Sequence, residues 1–175
     1  SITDGQFILD MQMFRDGIRP AISTGLSVSR VGGRGHNQRQ KNIAGSVLKM
    51  LASYQQAAEF SHFGSELALE ARGDLEKGQH ILEVFTQAPG EYFSLMAQQL
   101  MLETVISAQQ GAVMDIPRIK EEAIKLAADV KDDESFKAAV TNLASAGTIE
   151  VKGADQKAEQ QQEGDPVTNL DIDTP

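Results

Sequence analysis

The residues that point most directly to chemistry lie near the start, in Gly25-Leu26-Ser27-Val28-Ser29-Arg30-Val31-Gly32-Gly33. One arginine stands among small and β-branched residues, with glycines at both ends. β-Branched residues favour extended backbone, and the glycine pair ends the extension and lets the chain turn. Arg30 is therefore expected near the tip of a stiff segment. A guanidinium held there matches phosphate oxygens with two parallel hydrogen bonds and stays charged at any cellular pH. Taken alone, the same residue also reads as a solvated loop arginine.

Other chemistries find little support. No Gly-x-x-x-x-Gly-Lys-Ser/Thr loop occurs, so the chain has no phosphate cradle of its own and is expected not to hydrolyse ATP alone. Cysteine is absent, which removes disulfides, thiolate catalysis and cysteine-based zinc sites and fits a reducing compartment. The histidines are His36, His62 and His80, without metal-ligand spacing or the context of a Ser/His/Asp set, so no metal site is expected. The acidic pairs Glu121-Glu122 and Asp132-Asp133 sit where helices should begin, and there they read as caps and solvated charge.

The net charge of −9 argues against nucleic-acid binding. Its distribution is uneven. Residues 1–41 carry Arg15, Arg19, Arg30, Arg34, Arg39 and Lys41 against Asp4, Asp10 and Asp16, and the remainder is strongly acidic. A basic N-terminal segment suits an anionic ligand, although a cluster on a solvated face reads equally well. No apolar run approaches the length of a membrane span, so the chain is expected to be soluble by itself.

These residues must be positioned by a mainly α framework, for which helical spacing of apolar residues predicts about five helices. Ile43, Val47, Met50, Leu51, Tyr54, Ala57 and Ala58 mark the first, over 37–61. Gly45 within it is read as a point of close packing. After a break at Phe63-Gly64, with Ser65 as cap, the second carries Leu67, Ala71, Leu75, Gly78, Leu82 and Phe85 and ends at Pro89-Gly90. The third runs from about Glu91 to Gln109 with Phe93, Met96, Ala97, Leu100, Met101, Thr104 and Ala108 inward, its methionines reading as core or as a partner surface. Asp115 and Pro117 open the fourth, with Ile116, Ile119, Ala123, Leu126, Ala127 and Val130 as its stripe. Asp132 or Asp133 caps the fifth, with Phe136, Ala139, Val140, Leu143 and Ala144 inward and Gly147 as its stop. From Gly153 onward the Gln/Glu/Asp-rich composition predicts disorder, either a solubilising extension or a docking tail. At the other end, Ser1-Ile2-Thr3 reads as the end of a strand running into an Asp4-Gly5 turn, with its partner strands expected outside the chain.

Several strings, in order, resemble one family. They are Ser1-Ile2-Thr3-Asp4-Gly5-Gln6, Gly17-Ile18-Arg19-Pro20-Ala21-Ile22, the Arg30 segment, Phe63-Gly64-Ser65-Glu66-Leu67, and Gly78 with Glu83 ahead of Gln87. Together they resemble the C-terminal third of the α subunit of the rotary proton-translocating ATP synthase, strongly over 1–33 and clearly over 43–87. Two stretches depart from the family pattern: Gly33-Arg34-Gly35-His36-Asn37-Gln38-Arg39-Gln40-Lys41 after the Arg30 segment, and Gln87-Ala88-Pro89.

The resemblance implies a division into residues 1–33, a β/loop remnant of a P-loop-type α/β nucleotide-binding domain, residues 34–150, an α-helical C-terminal domain, and the tail 151–175. It implies a regulatory, non-catalytic subunit that alternates with β subunits in a ring and meets a γ stalk, on the cytoplasmic face of the inner or cell membrane, reaching the membrane only through the complex. Arg30 then matches an arginine finger reaching the catalytic site on the neighbouring β subunit, and Ser27 the motif serine associated with cooperation between sites. Ser1 matches a serine near the same phosphate region. Arg19 and Pro20 match residues lining the subunit's own non-catalytic nucleotide pocket, and Gln87 a glutamine near its adenine. ATP or ADP with Mg2+ is implied for the full complex and no cofactor for the chain alone. An alternative reading is a stand-alone helical interaction module with no role in ATP turnover.

Overall fold

The computed structural model describes residues 3–61 and 69–149; the side chains of residues 60, 61 and 69–71 lie outside the description, as do Ser1, the Phe63–Leu67 string and the tail. The fold is mainly α. Among the described residues, six helices and four two-residue strands follow the order β1 (Gly5–Gln6), α1 (Met11–Arg15), β2 (Val28–Ser29), a 3-10 turn (Gly32–Gly35), α2 (Gln38–Ser61), α3 (Leu69–Phe85), α4 (Leu95–Ser107), β3 (Val113–Met114), α5 (Ile116–Leu126), α6 (Asp133–Gly147) and β4 (Thr148–Ile149).

The bundle is built around α4. Its sequence, Leu-Met-Ala-Gln-Gln-Leu-Met-Leu-Glu-Thr-Val-Ile-Ser, is apolar on most sides, and a helix of that kind needs cover all round. It touches α2, α3, α5 and α6. Leu100, Met101, Thr104 and Val105 are fully buried, each of the aliphatic ones contributing roughly 1.5–3 kcal/mol. The hydroxyl of Thr104 satisfies itself on the carbonyl of Leu100 at 2.8 Å. Gln99 is buried too, donating to Leu95 O at 3.1 Å. Neither Gln99 nor Val105 belongs to the expected stripe, because a single-stripe reading leaves out a helix covered on several sides. The helix also begins later than Glu91: Ser94 caps it, its hydroxyl accepting from the amide of Ala97 at 3.1 Å.

The surrounding helices present the faces their spacing predicts, with one shift. In α2, Ile43, Val47, Leu51 and Ala57 are buried. Among the described side chains of α3 the buried apolar ones are Ile81 and Val84, while Leu82 and Phe85 are only partly covered. The reason is the tight seam with α2, where a Cβ on Gly78 would lie 2.4 Å from Tyr54. That contact turns Ile81 inward and leaves Leu82 and Phe85 at the edge of a cleft. Gly45 is not a packing point, since nothing lies within 4 Å of a Cβ built there. Gly147 is one, since a Cβ built there would run into the Ile119 side chain of α5.

Asp115 caps α5 through Arg118 N at 3.1 Å, with Pro117 in the first turn. Asp132, rather than Asp133, caps α6, in a reciprocal box with Ser135. Asp133 instead pairs with Arg39 from the start of α2, whose guanidinium also stacks over Phe136, 4.1 Å from the ring centroid.

The N-terminal segment corrects an expectation. Its strand is Gly5–Gln6, and the partner is within the chain: β1 pairs antiparallel with β2, Gly5 opposite Ser29 and Gln6 opposite Val28. Gly5 permits the approach, because a Cβ there would stand 2.7 Å from Val28 O. Between the strands lies α1, absent from the sequence reading although Asp10 and Gly17 signal it. The Asp10 carboxylate accepts from Gln12 N and Met13 N at 2.7 and 3.1 Å, and Gly17 follows the last turn.

Candidate functional site

Arg30 stands where the extended segment ends. Val28–Ser29 are β2, and Gly32 opens the 3-10 turn at a φ of 47°, a conformation that favours glycine. The backbone around Arg30 is pinned on both sides. Its amide donates to Asp4 O at 2.8 Å, and the Gly32 amide donates to the Ser29 hydroxyl at 3.0 Å. The side chain is free by comparison. The side chain is 67% exposed, and its guanidinium meets one oxygen of Asp4, whose side chain is 85% exposed, at 3.4 Å. An exposed single-contact pair of this kind holds a side chain weakly. The result is a fixed backbone carrying a cation that another surface can take up.

Ser27 lies on the approach to β2. Its hydroxyl accepts from the Ile8 amide at 3.0 Å, and its own amide donates to Ser23 O at 3.0 Å. Ser27 thus ties the two limbs of the N-terminal segment together just before Arg30.

A second group forms where this segment meets the bundle. The Gln87 amide donates to Arg19 O at 2.7 Å, which brings Arg19, Pro20 and Gln87 to one junction. Two open cavities flank it. One, of about 730 Å³, is walled by Pro20, Ile22, Tyr54, Phe85, Gln87 and Phe93 among others and is mainly apolar. The other, of about 640 Å³, has Arg19, Glu83, Gln87, Glu91, Lys120 and Glu121 on its walls. The Arg19 guanidinium lies over the Phe14 ring, 4.5 Å from its centroid. A stacked cation keeps its charge and gives up freedom. Neither Ser27 nor Arg30 lines either cavity, so the structure separates the Arg30 turn from the Arg19 junction. Ser1 lies outside the described residues.

Three partners escaped the sequence reading. Phe14 carries a local signal, since the Asp10 cap and Gly17 define the short helix that presents it. Asp4 could be found only by pairing the strands. Lys120 has no sequence signal at all: its ammonium donates to Thr86 O from 34 residues away. Among the described residues no group of three or more His, Cys, Asp or Glu could hold a metal ion, and no helix is long and apolar enough to cross a membrane.

The comparisons with known proteins converge. The model of the family described as ATP synthase alpha/beta chain, C terminal domain, matches residues 37–160. The ATP synthase subunit alpha of Clostridium kluyveri is 41% identical over 123 residues, 69% of this chain and 24% of its own length. The sodium-ion-specific ATP synthase subunit alpha of Acetobacterium woodii is 40% identical over 116 residues, 66% of this chain and 22% of its own. Among solved structures, the ATP synthase subunit NeqB of Nanoarcheaum equitans superposes with a TM-score of 0.58 at 25% identity, over 63% of this chain and 29% of that one. The chain thus spans about a quarter of the length of the curated relatives it matches.

Proposed function

We infer the role of this chain from the family to which it belongs, the C-terminal domains shared by the alpha and beta chains of ATP synthase, and within it the C-terminal region of the α subunit. We propose that it supplies Arg30 as an arginine finger to a catalytic site on a neighbouring β subunit. The observation that carries this reading is the contrast at Arg30 between a pinned backbone and an exposed guanidinium with one weak contact. The resemblance of the Gly25–Gly33 string to the α-subunit motif supports it. In this role Arg30 stabilises charge that develops on the γ-phosphoryl group during transfer, and the Ser27–Ile8 hydrogen bond keeps the finger's base in register. The subunit is regulatory rather than catalytic, and the activity belongs to a complex with β subunits and a γ stalk that couples ATP turnover to proton transport.

Residues 1–33 are, in this proposal, the end of a nucleotide-binding domain, and residues 34–150 the helical C-terminal domain. The ribbon of β1 and β2 favours this division. Phe7 and Leu9, just after β1, are 79% and 73% exposed, and Leu26, Val28 and Val31, in and beside β2, are more than half exposed, as expected of a segment built to be covered by more of a domain. Arg19, Pro20 and Gln87 form part of a non-catalytic nucleotide subsite. They bring to it a stacked cation, a flat ring and an amide side chain; the phosphate-binding loop, and Mg2+ with it, would come from elsewhere in the complex.

The test is turnover in a reconstituted ring whose α subunits carry Arg30→Ala. Hydrolysis should fall by roughly 10³-fold or more, the range of such fingers, while nucleotide affinity changes little, because the finger acts on transition-state charge. Turnover within a few-fold of the parent, roughly 1 kcal/mol on the barrier, would instead favour a helical interaction module.

A further inference from the structure

The junction between the N-terminal segment and the bundle depends on one peptide group, the unit joining Thr86 to Gln87. Its N–H donates to Arg19 O at 2.7 Å. Its carbonyl oxygen accepts from the Lys120 ammonium, which reaches across from α5. One planar unit is therefore held at both ends, by a cation on one side and a carbonyl on the other. Hydrogen bonds joined through one polar group polarise one another, and the charged one fixes the orientation of the plane. The position also matters for α3. Thr86 follows its last residue, with its amide on Leu82 O at 3.0 Å and its hydroxyl on the same carbonyl at 2.9 Å. A cation on Thr86 O complements the carbonyl end of that helix. Lys120 is half-buried, and its Nζ stands 5.8 Å from the centroid of Phe93. Glu83, Glu91 and Glu121 line the same cavity, yet among the described residues none of them forms an ion pair with Lys120.

We infer that Lys120 is a positioning residue: by holding the Thr86 carbonyl it orients the Gln87 amide toward Arg19 and so docks the Arg19–Pro20 turn on the bundle. Its consequence for ligand binding rests on the proposed nucleotide subsite. In that case Lys120 sets the separation of Arg19 and Gln87 without touching the ligand.

Amide exchange on the 175-residue protein tests it, with Lys120→Met, which keeps the alkyl stem and removes every donor, and Lys120→Arg, which keeps a charged donor. In Lys120→Met the Gln87 amide should exchange roughly tenfold faster, with the amides of Leu100 to Val105 in α4 unchanged. In Lys120→Arg it should stay near the parent rate. A Gln87 amide within about twofold of the parent in Lys120→Met would overturn the inference. So would equal acceleration throughout the bundle, or failure of Lys120→Arg to restore protection. Nucleotide affinity of a reconstituted ring carrying Arg19→Ala separates the two layers. If that affinity is unaltered, the subsite reading fails, while the exchange result still decides the role of Lys120.

Discussion

At the scale of single residues, two charged groups show how differently this protein uses exposure. The guanidinium of Arg30 has one weak contact and is left available. The carboxylate of Asp132 is exposed too, yet one of its oxygens is engaged. It accepts from the Ser135 hydroxyl at 2.7 Å and the Ser135 amide at 2.8 Å, and these bonds hold its pKa below the usual carboxylate value. A depressed folded-state pKa means stability that is present above the unfolded-state value and is lost as pH falls through the folded one. Asp132→Asn keeps a capping oxygen and removes the charge. Its Tm should lie below the parent's at neutral pH, and the two should converge as pH falls from about 4 toward 2. Parallel melting curves across that range would show that the cap owes nothing to ionisation. Arg39 makes the opposite choice to Arg30. Paired with Asp133 and stacked on Phe136, it joins α2 to α6 and has no freedom left for a ligand.

At the scale of elements, the glycines of the helices separate packing from propensity. Gly45 is exposed within α2 with nothing near its Cβ position, so Gly45→Ala should stabilise the fold by roughly 0.5–1 kcal/mol. A Cβ on Gly78 would run into Tyr54, and Gly78→Ala should destabilise by roughly 1–3 kcal/mol as α2 and α3 are forced apart. Urea midpoints for the two variants should move in opposite directions; a shared direction would contradict a tight seam between α2 and α3. The sequence could not tell these glycines apart, because both interrupt a helical pattern and only the facing helix decides their meaning. The same limit explains the rest. Five helices were legible because Ile43, Val47 and Leu51, or Ile116, Ile119 and Ala123, repeat at helical spacing, and because Asp115, Asp132 and Pro117 mark helix starts. The α3 stripe was displaced because Ile81 and Leu82 are equally apolar and their order of burial is set by α2. The Arg30 turn was legible from Val28, Ser29, Gly32 and Gly33. Its neighbours Asp4 and Ile8 were not, since strand pairing is a tertiary fact. Lys120 lies furthest beyond reach, as nothing local ties it to Thr86.

At the scale of the whole molecule, labour is divided between a bundle that supports itself and a basic N-terminal segment held to it through few bonds. The bundle buries a continuous core from Ile43 to Leu143. The segment presents Phe7, Leu9 and Val28 to solvent and carries both cations of the proposed sites. Such a segment should bind nucleotide poorly by itself. Calorimetry of the protein with ATP or ADP and Mg2+ should give no affinity in the micromolar range, about −8 kcal/mol, since Arg19 and Arg30 stand apart and no phosphate loop motif accompanies them in the sequence. Micromolar binding at physiological salt would mean that the Arg19 junction is a complete site. The central claim, that the segment exists to deliver a guanidinium to another subunit, is tested most directly by Arg30→Lys beside Arg30→Ala in a reconstituted ring. Lysine keeps the charge and loses the planar, two-pronged geometry. Measured as steady-state hydrolysis, Arg30→Lys should fall with Arg30→Ala, both by roughly 10³-fold or more. If Arg30→Lys retained turnover near that of the parent, charge alone would suffice and Arg30 would not act as a finger.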